Sequence, residues 1–409
     1  SAASDVYKRQ LLCEEENNMK KNKGITLVAL VVTIVVLLIL AGVSINLVLG
    51  NNGIIAKAKD AETKSAEASQ NDLKGMSDLE DEMDKQLGTC DPLKKIPTKT
   101  LEEAKVDFVK EKTKVEFSDG NVIIPEGFKI ADVPASKVQD GVVIEDKDRN
   151  QFVWVPVATI ADYKRTAYST NGATEETDTA TNSIKININS SISDYFTEAL
   201  PEDEKTSVER YKGFYIGRYE AGDKESTGTT KATFRTSSSD TSNSVTIKAD
   251  QVPYSCVTRT QAVSLAEGFA TKQGYKAKTK LVSSYAWDTT IAFIEKTVNN
   301  YGSSSSQGNY SDTSVTYKDI TDESKPEKTK AENSSLLVAT GQTTPVCNIY
   351  DMGGNVFEWT TESYSITNFP YARRGGSYLS SFADSPAGRR LDGFDDANAN
   401  FGFRLTLFM

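Results

Sequence analysis

Histidine is absent from this chain of 409 residues, and only four cysteines occur in it. Without histidine, a Ser-His-Asp or Cys-His catalytic group and a histidine-ligated zinc or iron site are excluded. So few cysteines in so long a chain do not form a disulfide scaffold. Basic side chains are outnumbered by acidic ones, and the net charge of −10 argues against nucleic acid as a partner.

The first 18 residues resemble the translated end of an adapter sequence, and Met19, followed by lysines, is a natural start. We exclude residues 1–18, with Cys13, from fold reasoning. The remaining cysteines are odd in number and define no framework. A bridge between Cys256 and Cys347 is left open, because an extracytoplasmic domain permits one.

An apolar run without charge covers residues 24–49. A helix needs about 20 apolar residues to span a bilayer, so this run predicts a transmembrane helix within residues 19–50. Lysines precede the run and none lies within it, which places the N-terminus in the cytoplasm and the bulk of the chain outside the cell. The simplest interpretation is a membrane-anchored protein of the cell surface.

The junction before this run, Lys-Gly24 followed by Ile25-Thr-Leu-Val-Ala29-Leu, resembles the leader of type IV prepilins. In that family a peptidase cuts after the glycine, and the helix anchors the subunit and packs in a filament. The resemblance therefore implies cleavage before Ile25 and pilin-like subunits as partners. The family's glutamate at the fifth mature position is Ala29 here, which argues against ordinary major-pilin polymerisation. A plain anchor stays open.

Residues 51–88 are rich in Ala, Glu and Lys, lack proline and predict a helical stalk. A linker is expected at residues 89–114 and a globular domain at residues 115–409. Short β-type runs in this domain are bounded by Gly, Pro and Asp and lie at residues 122–128, 142–144, 152–157 and 214–220. Helical patterns cover residues 260–273 and 287–295, the second with Asp288 and Thr289 near its start. Stretches rich in Ser, Thr, Asp and Asn, at residues 169–193, 226–244 and 303–335, predict surface loops.

Three segments near the C-terminus stand in a specific order: Cys347-Asn-Ile-Tyr-Asp-Met-Gly-Gly-Asn-Val-Phe-Glu-Trp-Thr-Thr-Glu362, Arg374-Gly-Gly-Ser-Tyr378 and Phe401-Gly-Phe-Arg404. Together they resemble the formylglycine-generating-enzyme (sulfatase-modifying factor) domain, a variant of the C-type lectin fold. The resemblance covers residues 122–407. It implies an α+β fold class, C-type-lectin-like with much irregular loop, preceded by the long N-terminal membrane and stalk helix.

The resemblance implies a Ca²⁺ site, since this family binds a cation at the positions of Asp351, Gly354, Val356 and Glu358. Calcium prefers six to eight oxygen ligands, and a glycine-containing turn lets carbonyl groups point inward beside two carboxylates. The alternative is that the glycines only form a turn and that Glu358 pairs with an arginine. For Arg374 and Arg404 we favour such a structural role, pairing with Glu358 or with backbone carbonyls.

The enzymes of this family carry a pair of copper-binding cysteines after the Gly-Gly-Ser-Tyr segment. Here Ser380 and Ser385 occupy those positions, and no cysteine follows Cys347. A serine hydroxyl cannot bind Cu(I) as a thiolate does or cycle through a disulfide, so catalysis of the family type is disfavoured. The aromatic residues of the motifs either form a ligand platform or belong to the core, which we favour: Phe357, Trp359, Tyr378, Phe401 and Phe403.

The segment from residue 380 to residue 400 has no helix or strand period and mixes Asp, Asn, Ser and Phe. Proteins diversified by retroelements use this variant of the fold, with variable positions just before a C-terminal Gly-Phe-Arg. The resemblance thus suggests a recognition face with paratope-like chemistry: Ser381, Phe382, Asp384, Asp392, Phe394, Asp395, Asn398 and Asn400. An ordinary solvated loop is the alternative.

These observations predict a non-catalytic, surface-displayed binding or adhesion protein, either a pilin-like tip subunit or a retroelement-diversified binder. Its ligand would be an extracellular protein or a glycan. Two alternatives remain: an enzyme of the superfamily with altered chemistry, and a structural minor pilin.

Overall fold

The computed structural model describes residues 31–36, 96–168, 173–178, 183–188, 191–225, 244–304, 307–320, 324, 326–364, 371–381, 384–392 and 394–409. The chain divides into two compact units, Ser1–Met83 and Asp84–Met409. In the first unit, residues 31–36 form a helix with exposed side chains. The remainder of the predicted membrane helix and the whole predicted stalk lie outside the described residues. Within the described part of the chain, no helix combines the length and the apolar character needed to cross a membrane.

The second unit mixes helices and strands. Its helices are α1 Leu101–Val106, α2 Glu202–Tyr211, α3 Arg259–Gln273, α4 Ser284–Glu295 and α5 Tyr301–Ser304, and its 3₁₀ turns are Val138–Asp140 and Ile160–Asp162. Its strands are β1 Thr98–Lys99, β2 Thr113–Phe117, β3 Gly120–Ile124, β4 Lys129–Ile130, β5 Val143–Glu145, β6 Gln151–Pro156, β7 Ala173–Asp178, β8 Ser183–Ile188, β9 Ser191–Thr197, β10 Gly213–Gly217, β11 Gly222–Asp223, β12 Val245–Thr246, β13 Val252–Pro253, β14 Lys278–Leu281, β15 Val315–Tyr317, β16 Lys328–Lys330, β17 Phe357–Trp359, β18 Ser363–Tyr364, β19 Tyr371–Arg374, β20 Arg390–Asp392, β21 Phe401–Phe403 and β22 Leu405–Phe408.

A six-stranded sheet with the order β14-β22-β10-β6-β5-β4 forms the centre of this unit. Its strands are apolar on both faces, as expected of a sheet that is covered on both sides. On β6, Phe152 and Trp154 belong to one core cluster and Val153 to the other. The alternation of side chains along a strand therefore feeds two cores at once.

Helices α3 and α4 supply the two core layers. Phe269 of α3 packs in the cluster that contains Trp154, and Trp287 of α4 packs in the cluster that contains Val153. Helix α3 begins with a capping box, in which Thr258 accepts a hydrogen bond from the backbone N–H of Gln261 at 3.2 Å. The helix predicted at residues 260–273 and the β-type runs at residues 152–157 and 214–220 are confirmed by α3, β6 and β10.

Helix α4 begins earlier than predicted, because Ser283 caps it by accepting from Ala286 N at 3.1 Å. Asp288 therefore lies inside the helix and is fully buried, and it does not serve as a residue of the helix start. The bridge between Cys256 and Cys347 that the sequence leaves open is not formed, since neither residue takes part in a disulfide.

The compact domain also extends beyond its predicted start. Strand β1 pairs in parallel with β2, and Ile96 and Ala104 belong to the core, so the chain from residue 96 onward packs with the domain and is not an extended linker. The stretch predicted as a loop at residues 169–193 contains strands β7 and β8 and the start of β9, which form a sheet in the order β18-β9-β8-β7. Residues 226–243 lie outside the described residues.

Candidate functional site

A tight turn at residues 351–356 lies at the candidate site and packs closely against the backbone of Asn309. Gly354 has a φ of +76°, and a Cβ atom there would lie 2.6 Å from the carbonyl oxygen of Asn309. The two residues form an isolated parallel bridge, so the backbone of residue 309 passes directly over the glycine. Only a residue without a side chain fits this close approach.

Arg404 is fully buried beside this turn and satisfies several acceptors. Its Nε donates to both carboxylate oxygens of Glu358, at 3.1 and 3.0 Å, and its Nη2 donates to Glu358 Oε1 at 2.6 Å. Its remaining hydrogen bonds go to the backbone carbonyls of Gly217 (2.9 Å), Tyr350 (2.9 Å) and Asp351 (3.0 Å). The structural role predicted for Arg404 is thereby confirmed.

The predicted calcium ligands lie at this turn, but the contacts of the two carboxylates are internal. Asp351 accepts from the hydroxyl of Thr343 at 2.6 Å and from Gly341 N at 3.0 Å. Glu358 is held by Arg404, which is the alternative that the sequence leaves open. Among the residues that the structure describes, no group of three or more acidic, cysteine or histidine side chains is arranged to hold a metal ion. Calcium at Asp351, Gly354, Val356 and Glu358 remains a prediction.

Glu220 is a third buried carboxylate near this turn, and the sequence did not point to it. It accepts from Asn355 Nδ2 at 2.7 Å and from Val356 N at 3.1 Å. Burial, with the nearby charges of Asp351 and Glu358, raises the pKa of Glu220 well above its usual range. Burial also raises the pKa of Glu358 to about 7, although Arg404 opposes this change. Burial raises the pKa of a carboxyl group because the charged form loses its hydration, whereas a nearby guanidinium lowers it.

A second buried group lies between α4 and the C-terminal strands. It joins the guanidinium groups of Arg165, Arg374 and Arg389 to the carboxylates of Glu175, Asp288 and Glu362. We call it the ion network. Arg389 contacts all three carboxylates, at 2.9 Å from Glu362 and 2.5 Å from both Glu175 and Asp288. Arg374 bonds Asp288, and Arg165 bonds Glu362.

The charges of the ion network balance, which is the condition under which buried ions are tolerated. Burial alone raises the pKa of Glu362, but Arg389, Arg374 and Arg165 together lower it to about 2. From the sequence, Arg374 is predicted to pair with Glu358 or with backbone carbonyl groups. Its side chain instead reaches Asp288 of α4 and Glu362, while Glu358 is only its partner across the strand pair β17–β19.

The ion network links separate parts of the chain. Arg374 ends β19, Arg389 directly precedes β20, and Asp288 belongs to α4. The segment between residues 374 and 389 is therefore fixed at both ends to one helix of the core. Strands β20 and β19 pair with each other, β19 pairs with β17, and β17 pairs with β21, which ends at Phe403.

This architecture can be compared with known proteins. Residues 190–407, more than half of the chain, match the family described as the sulfatase-modifying factor enzyme 1-like domain. The chain belongs to this family. No protein with curated annotation matches it.

Solved structures with some likeness to the chain include those of CarF, of PvdO from Pseudomonas aeruginosa and of Treponema denticola variable protein 1. CarF is 15% identical, with a TM-score of 0.31, over 48% of this chain and 87% of its own. PvdO is 14% identical, with a TM-score of 0.33, over 65% and 98%. The Treponema protein is 13% identical, with a TM-score of 0.35, over 63% and 96%. Likeness at this level says nothing about activity.

In this member of the sulfatase-modifying factor family, the two positions that the resemblance assigns to catalytic cysteines hold serines with different surroundings. Ser385 is fully buried, and its Oγ has no hydrogen-bond partner in the described structure. Ser380 is half-buried, with its Oγ 3.2 Å from Ser377 Oγ. The nearby Arg389 has its guanidinium directed into the ion network. The charge of Arg389 is thus neutralised by Glu175, Asp288 and Glu362.

The predicted recognition residues differ in exposure. Phe394, Ser381 and Asn398 are exposed, and the side chain of Phe394 is 72% exposed. Asp384 forms an ion pair with Arg390. Phe382 and the side chain of Asp392 lie outside the described residues.

Two of the predicted recognition residues contact other parts of the domain. Asp395 accepts a hydrogen bond from Thr260 N, at the start of α3, at 3.1 Å. Asn400 is buried, and its Nδ2 donates to Ser377 Oγ at 3.3 Å. These two side chains hold the segment to the domain, Asn400 from a buried and Asp395 from a half-buried position. Their part in recognition stays a prediction.

The aromatic residues of the motifs are core residues, as favoured from the sequence. All five are buried: Phe357, Trp359, Tyr378, Phe401 and Phe403. Arg373 lies over three of these rings and is closest to Phe401, 3.8 Å from the ring centroid. A cation over aromatic faces stabilises such packing.

Proposed function

We propose that this chain is a non-catalytic binding protein, displayed outside the cell on a membrane-anchored N-terminal helix. Its domain is a C-type-lectin-like member of the sulfatase-modifying factor family. The recognition face consists of the exposed part of residues 379–398. The ligand is an extracellular protein or a glycan.

The observation that carries this proposal is the pairing of exposed apolar side chains with an anchored backbone. Leu379 and Phe394 are 53% and 72% exposed. The residue after each is held to the domain, because Ser311 N donates to Ser380 O at 2.7 Å and Thr260 N donates to the Asp395 carboxylate at 3.1 Å. A preorganised aromatic side chain loses little entropy on binding, and such residues dominate the energy of protein interfaces.

Three further features support the proposal. The catalytic cysteine positions hold Ser380 and Ser385, and Arg389 is fully engaged in the ion network. The apolar run at residues 24–49 supports an anchor, and the junction at Gly24 supports a pilin-type subunit. N-terminal sequencing of the mature protein tests that last point: a start at Ile25 supports processing, and retained lysines before it refute processing.

Binding is tested with the full chain on arrays of glycans and of extracellular proteins, with and without a chelator. On any ligand found, Phe394→Ser and Leu379→Ser should each weaken binding at least about tenfold, as expected for hot-spot residues. Val106→Ser is the matched control, because Val106 is 71% exposed on α1, outside the recognition segment. Equal affinities of all three variants and the parent protein would refute the assigned face.

A further inference from the structure

A cavity of about 530 Å³ opens between β2, β3 and the C-terminal ends of α2 and α4. Its floor is apolar and is formed by the buried side chains of Ile123, Val138, Val157 and Tyr211. The volume lies within the range of pockets that enclose small molecules. None of these residues belongs to the recognition face or to the ion network.

Lysines dominate the charged wall of this cavity, although the protein as a whole is acidic. Lys114, Lys212 and Lys296 line it, against a single acidic residue, Asp119. Lys212 and Lys296 are exposed. Both directly follow a helix, at the C-terminal ends of α2 and α4.

The acidic groups near these lysines make other contacts. Asp162, whose charge interacts with that of Lys296, accepts hydrogen bonds from Thr159 N and Oγ1 at 3.1 and 2.8 Å. Asp119 directs its two carboxylate oxygens to Val138 N at 2.7 Å and Gln139 N at 3.0 Å. Lys114 pairs with Glu116, whose side chain is largely exposed, at 2.8 Å. Two lysine ammonium groups thus remain available at the mouth of an apolar chamber.

A fourth lysine contacts the floor of the cavity from behind. Lys112 is buried, and its Nζ donates to the hydroxyl of Tyr211 at 2.6 Å. Tyr211 is one of the cavity-lining residues.

We propose that this cavity binds a small organic anion: a carboxylate, sulfate or sulfonate head held by Lys212 and Lys296, with a ring-sized apolar body on the floor. A neutral molecule of the same shape would lack the ionic part of this recognition. An anion without an apolar part would not displace water from the apolar floor of the cavity. The combination of lysines and buried aliphatic surface therefore selects amphipathic anions.

The test uses the full chain and the probe 1-anilinonaphthalene-8-sulfonate, with its uncharged counterpart N-phenyl-1-naphthylamine. Lysines are acetylated at a limiting dose, and the modification of each is read by mass spectrometry. We expect the sulfonate to protect Lys114, Lys212 and Lys296 at least threefold and to leave the exposed Lys147 unprotected. Half-maximal protection of these lysines should need at least tenfold more of the neutral compound than of the sulfonate.

Two variants, with one control, test separately whether binding depends on the lysine charges and on the open volume of the cavity. Lys212→Glu combined with Lys296→Glu should abolish the protection of Lys114, whereas Lys147→Glu should preserve it. Ala158→Trp should also abolish protection, because Ala158 is exposed at the cavity wall and a large side chain there fills the chamber. Equal protection of Lys147, equal effects of the two compounds, or protection that survives Ala158→Trp would overturn the proposal.

Discussion

Replacing Glu362 by glutamine removes one negative charge from the ion network and keeps the shape of the side chain. A carboxyl with a pKa of about 2 in the folded protein and about 4.3 in the unfolded chain stabilises the folded state by about 3 kcal/mol at pH 7. Glutamine loses this contribution and leaves three buried guanidinium groups with two carboxylates. Breaking a buried ion pair on one side costs about 3–5 kcal/mol, which agrees with that figure.

The sign of the pH dependence follows from the lowered pKa. The contribution of Glu362 is fully present above the unfolded pKa and is lost as pH falls toward the folded pKa. At pH 3 about 1.4 kcal/mol of it remains. The difference between the parent protein and Glu362→Gln should therefore shrink from about 3 kcal/mol at pH 7 to about half that at pH 3.

Denaturant unfolding followed by tryptophan fluorescence measures this difference, since Trp154, Trp287 and Trp359 are all fully buried. Glu102→Gln is the control, because the Glu102 side chain is 82% exposed and its contact with Lys105 is a surface pair. That control should change the free energy of unfolding by less than about 0.5 kcal/mol. A loss below about 1 kcal/mol for Glu362→Gln at pH 7, or equal losses at both pH values, would refute the reasoning.

Three other predictions concern the same domain. Burial raises the pKa of Glu198 to about 7, so its contribution to stability should grow as pH falls from about 7 toward 4.3; Glu198→Gln should flatten the melting temperature between pH 8 and pH 5.5, and an unchanged profile would contradict this. Gly354→Ala should cost at least about 2 kcal/mol more than Gly127→Ala, because both glycines have positive φ but only the first meets backbone atoms; equal losses in denaturant unfolding would count against the close approach. Calcium bound at Asp351, Gly354, Val356 and Glu358 predicts a melting temperature several degrees higher with calcium than with a chelator; an unchanged melting temperature would instead support Glu358 acting only as the partner of Arg404.

The sequence predicts the central elements well, because their signals are local. The run Phe-Val-Trp-Val in β6 and the capped pattern of α3 determine structure within a few residues. The strands β7 to β9 were missed, because Ser, Thr, Asp and Asn indicate loops by composition. Their stability comes from pairing with neighbouring strands, which composition does not record.

The turn and the arginine at the C-terminus were also predictable in part. Glu358 and Arg404 stand in recurrent motifs, and their pairing was among the expected outcomes. The ion network was not, since Arg165 and Glu362 lie far apart in the chain and charged residues are expected on the surface. Asp288 offers a signal, since Glu295 at the end of α4 is the only other acidic residue of that helix, but an aspartate at this place in the sequence is equally typical of a helix start.

The position of β22 has a consequence for how the domain reaches its folded state. Strand β22 lies between β14 and β10 in the central sheet, so the facing edges of those two strands have no pairing partner until residues 405–408 are in place. During synthesis, and during export if the domain is displayed outside the cell, these facing edges of β10 and β14 stay unpaired until residues 405–408 have emerged. Unpaired edges of this kind promote aggregation and bind chaperones. A ribosome-stalled chain that ends before residue 405 should therefore remain sensitive to protease, however long it is held.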